Sequence, residues 1–364
     1  MKDPTARRAR TRTRLALFGA FFLGLAAAAF FLRRQVGDLV KRAVPYVRRK
    51  VTVKQPVLVI NPWSGDGKAA KYNLAAVAED AGIRTIVMQS GDDLTQLAID
   101  AIRDGADAIG MAGGDGSLAI VAGVAIEHDV PFFCVPVGTR NHFALDLGLD
   151  RDNPLSALDA IRDGEEVLVD HALAGDRLFL NNISFGIYAQ AVHEDGYREQ
   201  KDKAFAKVIE ANAADVDAQA ALQYQTPDGR VHERAPLLLV SNNRYRYSGP
   251  PDFGRRFRLD SGQLGVSAVT SLPKVIDAAT ALVGDKHDLY EWETTTIRIE
   301  SEQPIQAGLD GEAVQFDSPL DIVIKPKALR ALVPTGTRPG YVPPREKVAA
   351  RLLDLANLGG ASPS

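Results

Sequence analysis

Between residues 56 and 135 short apolar runs alternate with helical patterns, and this constrains the fold more than any other feature of the chain. PVLVI (56–60), RTIVM (84–88), ADAIGM (106–111) and VPFFCV (130–135) read as buried strands. The spacing between them predicts helices over about 70–81, over LTQLAIDAIRDG (94–105) and from Ser117 to Ile126. Such a repeat closes as a parallel sheet covered by helices. Ligands of these sheets sit at the carboxyl ends of the strands. The loops after the first, third and fourth strands are therefore where a site is expected.

After about residue 166 the pattern changes. EVLVDHALAG (166–175), RLFLNNISFG (177–186), AALQYQTPDGRVHE (220–233), APLLLVSNN (235–243), LGVSAVT (264–270) and TTTIRIESEQ (294–303) read as strands joined by turns. TPDG carries turn chemistry. Strands without regular helices between them suggest an antiparallel sandwich, with one helical interruption at 197–219. The expected organisation is an α/β nucleotide-binding domain over 51–166, an all-β sandwich over 167–318 and a return segment over 319–345. An amphipathic helix and tail (346–364) complete it.

The first fifty residues differ from the rest. LALFGAFFLGLAAAAFFL (15–32) is long enough as a helix to cross a hydrocarbon core of ~30 Å. Basic residues flank it on both sides, and the segment after it places Val36, Leu39, Val40, Ala43, Val44 and Val47 at helical spacing. A cleaved export signal fits the basic start. A hydrophobic helix anchoring the chain to an anionic membrane surface fits the whole of 1–50 better.

The net charge of −3 rules out a general polyanion binder, because the basic excess is confined to the N-terminal segment. Aromatics mixed with arginine at 241–258 suggest a cleft loop and a membrane-facing basic patch, not a nucleic-acid surface. The single cysteine, Cys134, lies in an apolar run and reads as a buried thiol in a reducing compartment. Histidine spacing gives no metal motif. The oligomeric state leaves no mark in the sequence.

Three loops carry the chemistry. GMAGGDGSLAIV (110–121) sets Gly113, Gly114 and Gly116 around Asp115 directly after a strand. Glycine costs backbone entropy, so the cluster points either to a tight turn or to backbone amides approaching a phosphate. NPWSGDGKAAK (61–71) departs from a Walker A loop, since Pro62 stands where the first glycine belongs, and matches a dinucleotide fingerprint only loosely. PVGTRNHFALDLGLD (136–150) adds Thr139 and Asn141 at the exit of the fourth strand. Taken together, the three read as one phosphate-binding rim. Trp63 could stack on a base, but packing over the sheet edge is the stronger expectation.

NPxSG…K, then GGDG[ST], then P.GT.N.FA..L, then a late DGE together resemble the diacylglycerol kinase catalytic family, across roughly residues 55–335. The family includes bacterial lipid kinases and sphingosine kinases and is related to NAD kinases. The resemblance implies an ATP-dependent lipid hydroxyl kinase with an α/β domain, a β-sandwich and the site between them. It implies that Asn61, Pro62, Ser64 and Gly65 line the nucleotide, with Ser90 at a position often occupied by threonine. Gly113, Gly114, Asp115, Gly116 and Ser117 would hold the phosphates, with Thr139, Asn141 and Asp310 beside them.

Phosphoryl transfer needs positioning and charge neutralisation more than covalent help. Mg²⁺ would neutralise the phosphates, and a carboxylate would accept the lipid hydroxyl proton. Glu312 resembles the family base; Asp115 is the other carboxylate able to do that job, and otherwise organises Mg-ATP through water. Read without the resemblance, Glu312 in a DG turn is a solvated hairpin acid; with it, Glu312 is favoured as the base. This sequence has Arg140 where the family often has glycine, and His142 where aspartate is common. Ser261 and Gly265 replace the acids of a structural metal site, leaving Asp260 as the nearby carboxylate.

The resulting expectation is a lipid kinase at the cell membrane, its catalytic part on the cytoplasmic side, with diacylglycerol as acceptor. An NAD kinase-like enzyme and a non-catalytic nucleotide or lipid sensor are the alternatives.

Overall fold

The computed structural model describes residues 45–186, 222–233, 235, 237–246, 255–269 and 289–340. The expected helices at 15–32, 197–219 and 346–364 lie outside the described residues. Among the described residues no helix is long and apolar enough to cross a membrane.

The α/β half opens with β1 (Arg48–Lys50) and β2 (Pro56–Ile60). Helices α1 (Lys68–Lys71) and α2 (Leu74–Asp80) follow, then β3 (Arg84–Val87), α3 (Leu94–Arg103) and β4 (Ala108–Gly113). Next come α4 (Asp115–Glu127), β5 (Phe132–Pro136), α5 (His142–Asp146) and α6 (Asp159–Arg162). Strands β3, β2, β4 and β5 lie side by side in parallel. Every residue of β2, β4 and β5 is buried, as expected for apolar runs without alternation. Cys134 is 1% exposed within β5. The helix expected over 70–81 is two pieces, because Asn73 adopts a left-handed φ of 48° between them. Asp93 caps α3, its side chain accepting from the amides of Thr95 and Gln96.

The β half continues with β6 (Glu165–Ala174), β7 (Arg177–Phe179) and β8 (Asn182–Gly186). It goes on through β9 (Gln223–Gln225), β10 (Val231–His232), β11 (Leu237–Asn242), β12 (Tyr245–Arg246) and β13 (Arg255–Arg256). The last strands are β14 (Leu264–Val269), β15 (Leu289–Thr294), β16 (Thr296–Glu300), β17 (Ile305–Leu309), β18 (Glu312–Phe316) and β19 (Leu320–Val333). One layer is a six-stranded sheet ordered β15-β14-β11-β8-β17-β18. Its inner face and that of β6, β9, β16 and β19 enclose one core that includes Phe179, Phe185, Val240, Val266, Ile299 and Ile322.

The sandwich expected from the sequence differs at its junction. Its second layer is continuous with the parallel sheet, in the order β10-β9-β16-β19-β5-β4-β2-β3. Strand β19 pairs antiparallel with β16 and β6, and reaches β5 in parallel where Ala331 faces Phe132. A bulge between Lys325 and Leu329 lets one strand serve both halves. Lys327 sits there at φ 53°, its amide donating to buried Asp170 at 2.7 Å. Burial raises the Asp170 carboxyl above its usual range, opposed by the amides of Lys327 and Gly262.

Candidate functional site

The three sequence-marked loops meet at the carboxyl ends of β2, β4 and β5, joined through backbone. The Asn61 amide donates to Ala112 O at 2.9 Å, and Gly138 N donates to Gly113 O at 3.1 Å. Gly65, at φ +57°, packs so closely that a β-carbon there would stand 2.1 Å from Val137 O. A β-carbon on Gly138 would lie 2.5 Å from the Gly114 Cα. Glycine is required at both positions by neighbouring backbone, with no appeal to a ligand. Gly114 differs: a β-carbon there would meet nothing within 4 Å, so this glycine borders open space at the start of α4.

Asp115 opens α4 but aims its carboxylate elsewhere. Oδ2 accepts from His142 N at 3.1 Å and Oδ1 from Phe143 N at 3.0 Å, so it holds the first turn of α5. Those amides have no partner within the helix, and an anion there complements the helix dipole. Asn141 is fully buried and closes on its own loop: Nδ2 donates to Gly138 O at 2.6 Å and Oδ1 accepts from Gly138 N at 3.0 Å. Its side chain shapes the rim. The Asn61 Oδ1 likewise accepts from Trp63 N at 3.0 Å.

From the β half, the β17–β18 hairpin brings in the late DGE. Asp310 and Gly311 have φ of 48° and 89°, the double left-handed signature of a two-residue type I′ turn, and Leu309 pairs with Glu312. Glu312 is therefore a hairpin acid, and the hairpin delivers it to the rim. A β-carbon on Gly116 would meet Glu312 Cγ at 3.4 Å and Oε1 at 3.5 Å. The exposed Glu312 carboxylate thus lies over the first turn of α4, almost two hundred residues away in sequence.

Asp310 turns inward. Its Oδ2 accepts from Leu180 N at 2.8 Å, and Oδ1 from Asn181 N and Asn182 N at 2.8 and 3.0 Å. Burial pushes its carboxyl up to about 7; the Leu180 amide opposes this and the nearby Asp115 charge adds to it. These amides also explain why RLFLNNISFG is two strands, since Leu180 and Asn181 direct theirs to Asp310.

Other expected positions stand apart. Ser90 lies in an exposed turn after β3, and Thr139 is exposed at the tip of its loop. Pro62, Ser64 and Ser117 are half-buried along the rim. Lys68 donates through Nζ to Arg151 O at 2.6 Å. Trp63 is 57% exposed, which corrects the expectation that it packs over the sheet edge. Arg258 grips both oxygens of Asp260 at 2.6 Å, so a guanidinium supplies the positive charge beside that carboxylate. Among the described residues no group of three or more His, Cys, Asp or Glu is placed to hold a metal.

Two residues that the sequence did not mark tie this site together. Arg256 is 1% exposed and Asp146 3% exposed, and their side chains meet at 2.6 Å. Burial works against the guanidinium charge, but Asp146 beside it prevails and holds Arg256 protonated. The sequence places Arg256 in a cleft loop with a basic patch, and no local pattern separates it from its neighbours.

Known proteins are similar to this chain to different extents. A diacylglycerol kinase from Mycobacterium tuberculosis is 32% identical over 126 residues, covering 34% of this chain and 41% of the relative. The chain thus spans less than half the length of that relative. A diacylglycerol kinase from Bacillus subtilis is 24% identical over 278 residues, covering 71% of this chain and 90% of its own. The crystal structure of a Bacillus anthracis diacylglycerol kinase superimposes with a TM-score of 0.56 at 20% identity, covering 79% of this chain and all of that one. That likeness concerns the fold. Residues 55–174 match the diacylglycerol kinase catalytic domain, about a third of the chain.

Proposed function

We propose that this protein is a lipid kinase, transferring the γ-phosphoryl group of Mg-ATP to a lipid hydroxyl, with diacylglycerol as the leading acceptor. The placement of Glu312 over the first turn of α4, beside the open face of Gly114, carries this reading. The rim suits a polyphosphate: glycines allow close approach, and the first amides of a 13-residue helix point outward. Asp115, Asp310 and Glu312 would repel bare phosphates, so the donor set suits phosphates carried with a divalent cation.

Magnesium-ATP supplies the transferred group and the neutralising charge. Glu312, exposed at the rim, accepts the proton of the lipid hydroxyl as that oxygen attacks. Asp115 fixes α5, and Asp310 fixes the 180–182 turn, so both sides of the cleft are set before substrates arrive. In this reading residues 1–50 tether the enzyme to the cytoplasmic side of the cell membrane, which raises the effective concentration of an acceptor that stays in the bilayer.

Labelled ATP, total lipid extract and mixed micelles test the proposal. A labelled lipid is expected, with Glu312→Gln lowering the rate by about 10²–10⁴-fold while nucleotide binding persists. Label on added NAD in place of lipid would reject it, and wild-type turnover by Glu312→Gln would remove the base.

A further inference from the structure

We infer that Arg256 is a positioning residue, locking the Asp115 loop to the Asp310–Glu312 hairpin across the two halves of the molecule. The inference rests on the proposed lipid kinase reading for its consequence in catalysis, but not for its geometry.

Arg256 ends the two-residue strand β13, paired with Tyr245 of β12, and its guanidinium is fully enclosed. Nε donates to Asp146 Oδ2 at 2.6 Å. Nη1 donates to Leu180 O at 2.5 Å and Asn242 O at 2.8 Å, and Nη2 to Asn181 Oδ1 at 2.8 Å. The Tyr245 ring lies 5.6 Å from the guanidinium carbon. One side chain therefore contacts three segments distant in sequence.

Two of those segments hold the site acids. Asp146 ends α5, whose first amides grip Asp115. Leu180 and Asn181 supply amides to Asp310, and the same residues accept from Arg256 through their other polar groups. A path thus runs from Asp115 through α5, Asp146, Arg256 and the 180–181 turn to Asp310. From there the hairpin returns Glu312 to Gly116, next to Asp115, and the loop closes.

A buried ion pair is a poor way to gain stability, because desolvation consumes most of its attraction. It is a good way to fix one arrangement, since any other leaves a charge unpaired. A planar guanidinium can satisfy Asp146 and the 180–181 turn together; an ammonium, with donors on one nitrogen, cannot span them.

Arg256→Lys and Asp146→Asn are tested in the full-length protein, the second variant keeping an acceptor for the guanidinium. Hydrogen exchange at the amides of 142–143 and 180–182 is the first readout and needs no turnover. Both segments should exchange at least tenfold faster, together, while amides of β2 and β4 keep their protection. A uniform rise across the chain, or a response in one segment alone, overturns the inference. The second readout is lipid phosphorylation: kcat should fall at least tenfold with KM for ATP changed less than threefold. A fall expressed wholly in KM also overturns it. In an Asp310→Asn background Arg256→Lys should cost much less in kcat than it does alone, and full additivity counts against coupling through Asp310. If the wild-type protein phosphorylates no lipid, the functional reading fails while the exchange result still decides the role of Arg256.

Discussion

Asp115 and Asp310 do the same local task in the two halves of the molecule, each gathering backbone amides from a distant segment. Asp115 takes two, at the start of α5; Asp310 takes three, from the 180–182 turn. Their surroundings differ. Asp115 stands at a helix N-terminus beside the open face of Gly114, where a negative charge is favoured. Asp310 lies in a tight hairpin turn, where burial and the Asp115 charge work against its ionised form. The parallel half thus builds its side of the site from loops that follow one another along the sheet edge. The antiparallel half builds its side from one turn, paired by register to strands far away in sequence.

The largest effect should follow from disturbing the rim where backbone meets backbone. Ala at position 138 would place its β-carbon 2.5 Å from the Gly114 Cα and 3.0 Å from Gly113 O, and neither can rotate away. Gly138→Ala should cost about 1–3 kcal/mol in urea unfolding and weaken Mg-ATP binding at least tenfold in a titration. Wild-type stability would mean that the loops are not held against each other there, and the two sides of the cleft would no longer differ in construction.

That contrast also explains what could be read from the chain. The parallel strands, the three loops and the glycine cluster are local, because each strand is followed directly by the loop it positions. PVLVI is the strand Pro56–Ile60 itself. The hairpin turn was equally visible in DG, but its partner surface was not: only the pairing of β17 with β8 and β18 carries Glu312 to Gly116. Resemblance to a family, not spacing, connected Glu312 with the glycines. The 319–345 segment reads as a return closing on the α/β domain, and β19 does reach β5 there. That it is one strand is not legible, because a bulge with a left-handed lysine has no simple period. Arg256 and Asp146 left no trace, since a buried ion pair is a property of the packed fold.

A smaller effect follows, in pH, from the burial of Asp310. The folded Asp310 carboxyl titrates at about 7, against ~3.9 in an unfolded chain. Between these values the folded state holds a proton that the unfolded state has lost. Asp310 therefore favours the fold fully below about pH 4, and that contribution is lost as pH rises towards 7, by at most ~1.4 kcal/mol per unit. The difference in urea stability between wild type and Asp310→Asn should accordingly shrink from pH 4 to 7 and level off above it. The ¹³C titration of the Asp310 carboxyl should also move to lower pH in Asp115→Asn, which removes the neighbouring negative charge. A midpoint unchanged by that substitution would show that the two acids do not sense each other.

The smallest effect on the fold, and the sharpest on the comparison, belongs to Gly114→Ala. Gly114 caps α4 in an extended conformation at φ −88°, which alanine adopts freely, and a β-carbon there has nothing within 4 Å. The loss of a good N-cap residue should lower stability by about 1 kcal/mol or less. The added methyl group would stand in the open space from which a phosphate approaches the α4 amides, so Mg-ATP affinity should fall at least tenfold. Gly138→Ala should damage both fold and binding; Gly114→Ala should act mainly on binding. Equal nucleotide affinity in Gly114→Ala and wild type, by isothermal titration, would remove the phosphate from the account of Gly114, since a glycine with open space beside it would then not be demanded by a ligand either.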